Sequence, residues 1–482
     1  MSRIETMRAA MWAFATTAGT RVITLASLVI LARLLAPADF GLLAFALVYI
    51  TYAETIGDLG TAVALIYWPD RREDAAQLTF LMNIAAGIFW FLLTIAIAPF
   101  VADFFENPQA APIVRALAFA FLIKFAGNTH DALAQKDLRF RARAVPELGL
   151  TVIKALIAIA LALRGFGAWS LVWGHLLGLL AWTVLQWSIV SWRPSLRLPR
   201  DLVLPMFRYG RGIVAVNVIA AVVHHADLLV VGRMLGARAL GLYQIAYKVP
   251  EATITVVIWV VSKVLFPAFA KRLSSGGELD TAYLQALRYV SFVTIPMSAG
   301  LALVAEPLVA VLFGSRWLEA APLLRWLAVY AGLRALGTHA GDVLKASGRS
   351  GLLAMMGLVK AAVLIPALIY AGRFGVREVA MAMAAVTSLT LALNLYVVAG
   401  LLKLSFLRIA RALATGVMAG ASVVIAGLAL RTTLSPLNAY SQLALLIVTC
   451  SVVYGAAALL IDRKFAFEIL NAFRRPVTDA GS

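Results

Sequence analysis

Charge and cysteine are both scarce in this chain. Only 14% of its 482 residues are Asp, Glu, Lys or Arg, where soluble domains carry about 25%. That deficit excludes an ordinary water-soluble globular protein. The single cysteine, Cys450, lies in an apolar run, so neither an intrachain disulfide nor a cysteine-based metal cluster can form. The five histidines, His130, His175, His224, His225 and His339, show no HExxH or other ligand spacing, and no metal is expected. No GxxxxGK loop followed by Ser or Thr is present to cradle a phosphate. No cofactor is expected, and ATP is not the motor unless a partner supplies it.

What the chain has instead is apolar residues, 62% of the total, with a mean hydropathy of +0.90. A bilayer core about 30 Å thick takes roughly 20 apolar residues per helix. Gly, Pro and charge clusters punctuate the sequence into fourteen spans: 10–34, 40–66, 77–102, 111–128, 146–163, 167–191, 212–234, 239–269, 287–312, 320–340, 351–371, 377–401, 409–430 and 439–461. The expected fold class is an all-α polytopic membrane protein. Arg3 and Arg8 precede the first apolar stretch as in a secretion signal, but that stretch exceeds 20 residues and carries Arg21 in its middle. It reads as a retained helix.

Basic residues outnumber acidic ones 42 to 24, a formal charge of +18. Assigned to alternate loops with the N-terminus inside, 25 of the 42 fall on the cytoplasmic side, 8 on the opposite side and the rest within spans. This bias places both termini in the cytoplasm and explains the charge by topology, without nucleic acid. The longest inner connection, 192–211, is rich in Pro and Arg and reads as an amphipathic linker along the headgroups.

The two sides of that linker resemble each other. LARLLAPADFGLLAFA, ending at Ala46, aligns without gaps at an offset of 200 with VGRMLGARALGLYQIA, ending at Ala246, and pairs Arg33 with Arg233 and Gly41 with Gly241. PFVADFF at 99–105 matches PLVAVLF at 307–313, APIVRALA at 111–118 matches APLLRWLA at 321–328, and IKA at 153–155 matches VKA at 359–361. Ordered matches of this kind indicate a duplication of six spans. The expected domains are an N-lobe at 1–191, the linker at 192–211, a C-lobe at 212–402 and, at 403–482, a terminal helix pair with a cytoplasmic tail. An even number of spans per repeat relates the lobes by an axis along the membrane normal, as in two-lobed alternating-access transporters.

Charges inside spans cost about 2.5–3.5 kcal/mol each on insertion scales and should face a bundle interior or a watery cavity. Arg115, Lys124 and Arg325 lie near span ends and are expected to snorkel to the interface. Arg21, Lys154 and Lys360 lie deeper, and the two lysines occupy equivalent places in the repeats. A cationic pair facing a cleft suits an anionic substrate; the alternative is that each lysine pairs with an intramembrane acid and holds helices together. Lys248, Lys263 and Arg334 form a second tier of cavity cations. Thr17, Thr20, Arg21, Thr24 and Ser27 recur at helical spacing as a polar stripe on the first span, matched on its repeat mate by Asn217, His224 and Asp227. The acids Glu54, Asp58, Asp227 and Glu251 are candidates for proton or sodium coupling. Against that, Lys248 and Glu251 are three residues apart, the spacing of a structural ion pair. Pro250, Pro296 and Pro366 interrupt helical runs and supply kinks for moving segments or for static packing.

LARLLAPADFGLLAFALVYITYAETIGDLGTAVALIYWPD, RGFGAWSLVWG, SWRPSLRL, HHADLLVVGRMLGARALGLYQIAYKVP and SKVLFPAFAKR together resemble a known family. It is the polysaccharide-flippase branch of the multidrug/oligosaccharidyl-lipid/polysaccharide exporter superfamily, in particular its lipopolysaccharide and colanic-acid exporters of the Wzx-like group. The likeness is strong over about 30–270 and thins beyond. It implies fourteen helices in two six-helix lobes plus a terminal pair, and transport of undecaprenyl-diphosphate-linked oligosaccharide across the bacterial inner membrane. The partners it implies are that lipid-linked glycan, membrane lipids, polysaccharide polymerase and chain-length machinery, and a proton or sodium ion. Its A-D-x-L-L-x-G-R segment maps onto Ala226, Asp227, Leu228, Leu229, Val231, Gly232 and Arg233, with His225 standing where the pattern has Asn. Two rivals remain. One is a multidrug antiporter of the same superfamily, whose cationic substrates prefer an acid-lined cleft. The other is a membrane polysaccharide polymerase or ligase, which would need a larger outer loop than this chain has.

Overall fold

The computed structural model describes residues 3–57, 60–67, 71–137, 139–195, 198–274, 279–434 and 436–461. Among them are fourteen α-helices, one 3-10 turn and no strand. Eleven stretches of helix are long and apolar enough to cross a membrane. A helix satisfies its own backbone hydrogen bonds, which hydrocarbon cannot do for it.

The chain forms two compact units, Met1–Gly241 and Leu242–Ser482. The first begins with α1 (Arg3–Leu34), α2 (Pro37–Gly57), α3 (Thr61–Tyr67) and α4 (Arg72–Phe104). It continues with α5 (Ala110–Lys136), α6 (Phe140–Leu163), α7 (Ala168–Ile189) and the start of α8 (Arg200–Ser274). The second contains the rest of α8, then α9 (Leu279–Leu312), α10 (Ala321–Ala346), α11 (Ser350–Gly372), α12 (Val376–Leu401), α13 (Phe406–Leu434) and α14 (Ala439–Ile461).

Packing repeats as the sequence does. In the first unit α4 packs on α5, α5 on α7 and α6 on α7; in the second α9 packs on α10, α10 on α12 and α11 on α12. Helices α13 and α14, outside the duplicated stretch, both pack on α9. Buried aromatic and small residues form the interiors, among them Phe45, Phe121, Phe125, Tyr283 and Trp317. The exposed side chains of α14 include Val448, Val452 and Leu460, an apolar surface suited to lipid.

Two local features differ from the expected spans. The span at 40–66 is two helices, with Gly60 at φ 65 opening the second. Residues 200–211, expected to lie in the linker, are already helical. The separation expected between the spans 212–234 and 239–269 is present as a break in α8 at Gly236, whose φ of 81 and ψ of −179 are accessible at low cost only to glycine.

Gly41 and Gly241, equivalent in the repeat, meet at the closest approach within the first unit. A Cβ on Gly41 would stand 1.8 Å from the Ala237 carbonyl oxygen, and one on Gly241 would stand 1.8 Å from that of Pro37. Only hydrogen fits at either position.

Candidate functional site

Each unit places a cation of one helix against polar groups of another. In the first, the ammonium of Lys124 on α5 donates to Glu54 Oε2 on α2 at 2.6 Å, both side chains half-buried. This ion pair joins residues 70 apart in sequence. Beside it on α2, Tyr49 hydrogen-bonds Thr94 at 3.0 Å. One turn on, Tyr52 meets the His225 ring edge-on at 6.1 Å. His225 in turn lies 4.8 Å from His224, ring to ring. Asp227 is 1% exposed, and its Oδ1 accepts the backbone N–H of Leu228 at 2.9 Å.

Lys154 is half-buried on α6 and makes polar contacts. The stripe on α1 is largely self-satisfied: Thr24 Oγ1 donates to the Thr20 carbonyl at 2.7 Å and Ser27 Oγ to that of Thr24 at 2.9 Å. Arg21 on the same helix is half-buried, and Asn217 on α8 is exposed. Asp58 and the side chains of Thr17 and Lys263 lie outside the described residues.

In the second unit Arg334 of α10 donates to the Tyr247 hydroxyl of α8 at 3.3 Å. Tyr330 and Glu251 also face it, and with Thr255 these residues enclose a small pocket. Glu251 accepts from Lys248 at 2.8 Å. The spacing that suggested an ion pair does form one. Lys360 is half-buried on α11 and has polar contacts of its own.

Sequence reading missed several features. Asp131 takes a two-pronged hydrogen bond from Arg143, at 2.9 and 3.0 Å, and a third from Gln186 at 3.1 Å. Buried His339 faces Asp342 at 3.4 Å. A cavity of about 960 Å³ opens between α9, α10, α12, α13 and α14, walled by Leu, Val and Ala with Glu306, Arg325 and Arg377 also in its lining. Arg325, expected at the interface, pairs there with Glu306 at 2.9 Å. Among the described residues no group of three His, Cys, Asp or Glu converges as a metal site would require. In chemical terms the cations described above are held by carboxylates and a phenol.

Comparison with known proteins gives these groups a context. Residues 30–322 match the family described as polysaccharide biosynthesis protein. The chain is 27% identical over 378 residues to the lipopolysaccharide biosynthesis protein WzxC of Escherichia coli (strain K12), covering 77% of this chain and 76% of that one. It is 27% identical over 359 residues to the succinoglycan biosynthesis transport protein ExoT of Rhizobium meliloti (strain 1021), covering 74% and 73%. Among solved structures, lipid II flippase MurJ in an inward closed conformation superposes with a TM-score of 0.77 at 12% identity, over 94% of this chain and 99% of that one. An inward-facing multidrug resistance MATE transporter of the MOP superfamily gives 0.63 at 15% identity, over 80% and 96%.

Proposed function

The chain belongs to the polysaccharide biosynthesis protein family, and from that premise we propose that it is a flippase. Its cargo is an undecaprenyl-diphosphate-linked oligosaccharide, an O-antigen or exopolysaccharide repeat unit. The protein carries it from the cytoplasmic to the periplasmic leaflet by alternating access, as a transporter and not an enzyme. The observation that carries this reading is the half-buried lysines Lys154 and Lys360, one in each repeat, each set in an apolar run of its helix. Cations kept inside a membrane protein at such cost suit a diphosphate, which offers several charged acceptors.

Arg21, Lys154 and Lys360 are the proposed headgroup contacts, with Lys248, Lys263 and Arg334 in support. Asp227, Glu54, Asp58 and Glu251 are the proposed sites of proton or sodium coupling. The location that follows is the bacterial inner membrane, crossed fourteen times with both termini cytoplasmic, and the asymmetry of basic residues supports it. Polymerase and chain-length machinery would consume the product on the far side.

Replacing Lys154 or Lys360 by Ala should abolish glycan export while the protein remains in the membrane. Deleting the gene should trap a complete repeat unit on its lipid carrier at the cytoplasmic face, read by lectin labelling of inside-out vesicles and mass spectrometry. Undiminished export in both single variants and the double variant would refute the charge-clamp assignment. Intact export without trapped lipid, together with drug resistance on expression, would favour an antiporter built around the same acids.

A further inference from the structure

Lys124 and Arg334 are equivalent at the offset of 210 that aligns APIVRALA with APLLRWLA. Both lie on the helix that packs against α4 in the first unit and against α9 in the second. A carboxylate from the second span of the same repeat lies near each: Lys124 pairs with Glu54 on α2, and Arg334 lines one small pocket with Glu251 on α8. The duplication has thus kept a cation and a glutamate in the same helices while changing the cation from Lys to Arg.

In the first unit the helix of this cation and the helix of the proposed headgroup contact Lys154 pack against one common neighbour. Helix α7 is the shared support. A Cβ on Gly174 would come within 2.8 Å of the Lys154 carbonyl oxygen, and one on Gly178 within 2.9 Å of the Lys154 Cβ, so α7 lies directly against that lysine's turn of α6. Toward its other end, Thr183 Oγ1 donates to the Ile123 carbonyl at 2.8 Å and Trp187 Nε1 to that of Ala126 at 2.9 Å, fixing α7 to the turn of α5 that bears Lys124.

We propose that Lys124 is a further ligand of the anionic headgroup and that Glu54 is its displaceable counter-ion. This rests on the flippase reading. A lone ammonium in an apolar bundle is costly, and Glu54 meets that cost in the structure described here. A carboxylate offers one negative charge, whereas a diphosphate offers more charge and more acceptor oxygens. The diphosphate therefore takes Lys124 from Glu54, and the return of Glu54 to Lys124 favours release of the headgroup. Glu54 then selects for a headgroup carrying more charge than a carboxylate.

The test is binding of geranylgeranyl diphosphate and geranylgeranyl monophosphate to the full chain in nanodiscs, followed by native mass spectrometry. Wild type should prefer the diphosphate. Lys124→Gln should weaken diphosphate binding about tenfold or more, the loss of one hydrogen bond to a charged group. Glu54→Gln should tighten diphosphate binding and slow its release, because the competitor for Lys124 is gone. Lys124→Arg should retain the preference. The double variant Lys124→Gln with Glu54→Gln leaves no charge uncompensated, so it should stay folded yet bind the diphosphate as weakly as Lys124→Gln alone. A double variant that binds like wild type, or a Glu54→Gln variant that loses affinity as Lys124→Gln does, would overturn the assignment and leave the pair a structural tie. Wild type with no preference for the diphosphate would overturn the flippase reading and this assignment with it.

Discussion

Arg71, at the entrance to α4, grips two carboxylates: Asp74 at 2.8 Å and, across 130 residues of sequence, Asp201. The hydrogen bond from Arg71 holds the Asp201 carboxyl below its usual range, and the same two acids raise the guanidinium. A carboxylate depressed in the folded state stabilises it above the ordinary aspartate range, about 4, and the contribution is lost as pH falls through the lower folded value. Protection factors, corrected for intrinsic exchange, of the amides at the start of α8 (202–206) should therefore be steady from pH 5 to 9 and fall at lower pH; Asp201→Asn should be less protected at neutral pH and lack the acid step. The intramembrane candidates were partly legible at this scale. A charged residue in an apolar run announces itself, as Lys154, Lys360 and Glu54 do. Their partners do not, because Lys124 and Glu54 are 70 residues apart. The repeat offset by itself makes Lys124 the counterpart of Arg334.

Between elements, short polar contacts and close backbones decide the geometry. The segment after α7 is strapped to the start of α4. Gln77 donates to the Ser195 carbonyl and accepts its N–H at 2.7 Å, while Trp192 donates to Glu73 at 3.0 Å. Hydropathy marked this connection as polar, yet nothing in its composition names Gln77 as the residue that holds it. The Gly41–Gly241 approach was visible in sequence as an aligned pair, and the structure adds that the two glycines share one contact. Gly41→Ala and Gly241→Ala should each cost about 1–3 kcal/mol or more by overpacking against a backbone carbonyl. Gly357→Ala in α11, where nothing lies within 4 Å of the added carbon, should be neutral or mildly stabilising. Thermal unfolding of the three variants in detergent separates these outcomes.

For the whole molecule the testable consequence is topology. Cys450 is the sole cysteine, so a Cys450→Ser background permits labelling one site at a time. Ser405 and Asn438 are exposed and flank α13. Ser405→Cys should react with an impermeant thiol reagent only in inverted vesicles, and Asn438→Cys only in intact spheroplasts; the reverse pattern would invert the proposed orientation. The class of the molecule followed from sequence alone, since hydrophobicity, helix punctuation, the basic bias and an internal repeat are sums or matches along one dimension. The tertiary structure alone decided which carboxylate meets Lys124, which glycines touch and where a large apolar cavity opens. Those outcomes depend on the directions in which helices separated by scores of residues present their side chains, and no sum taken along the chain contains a direction.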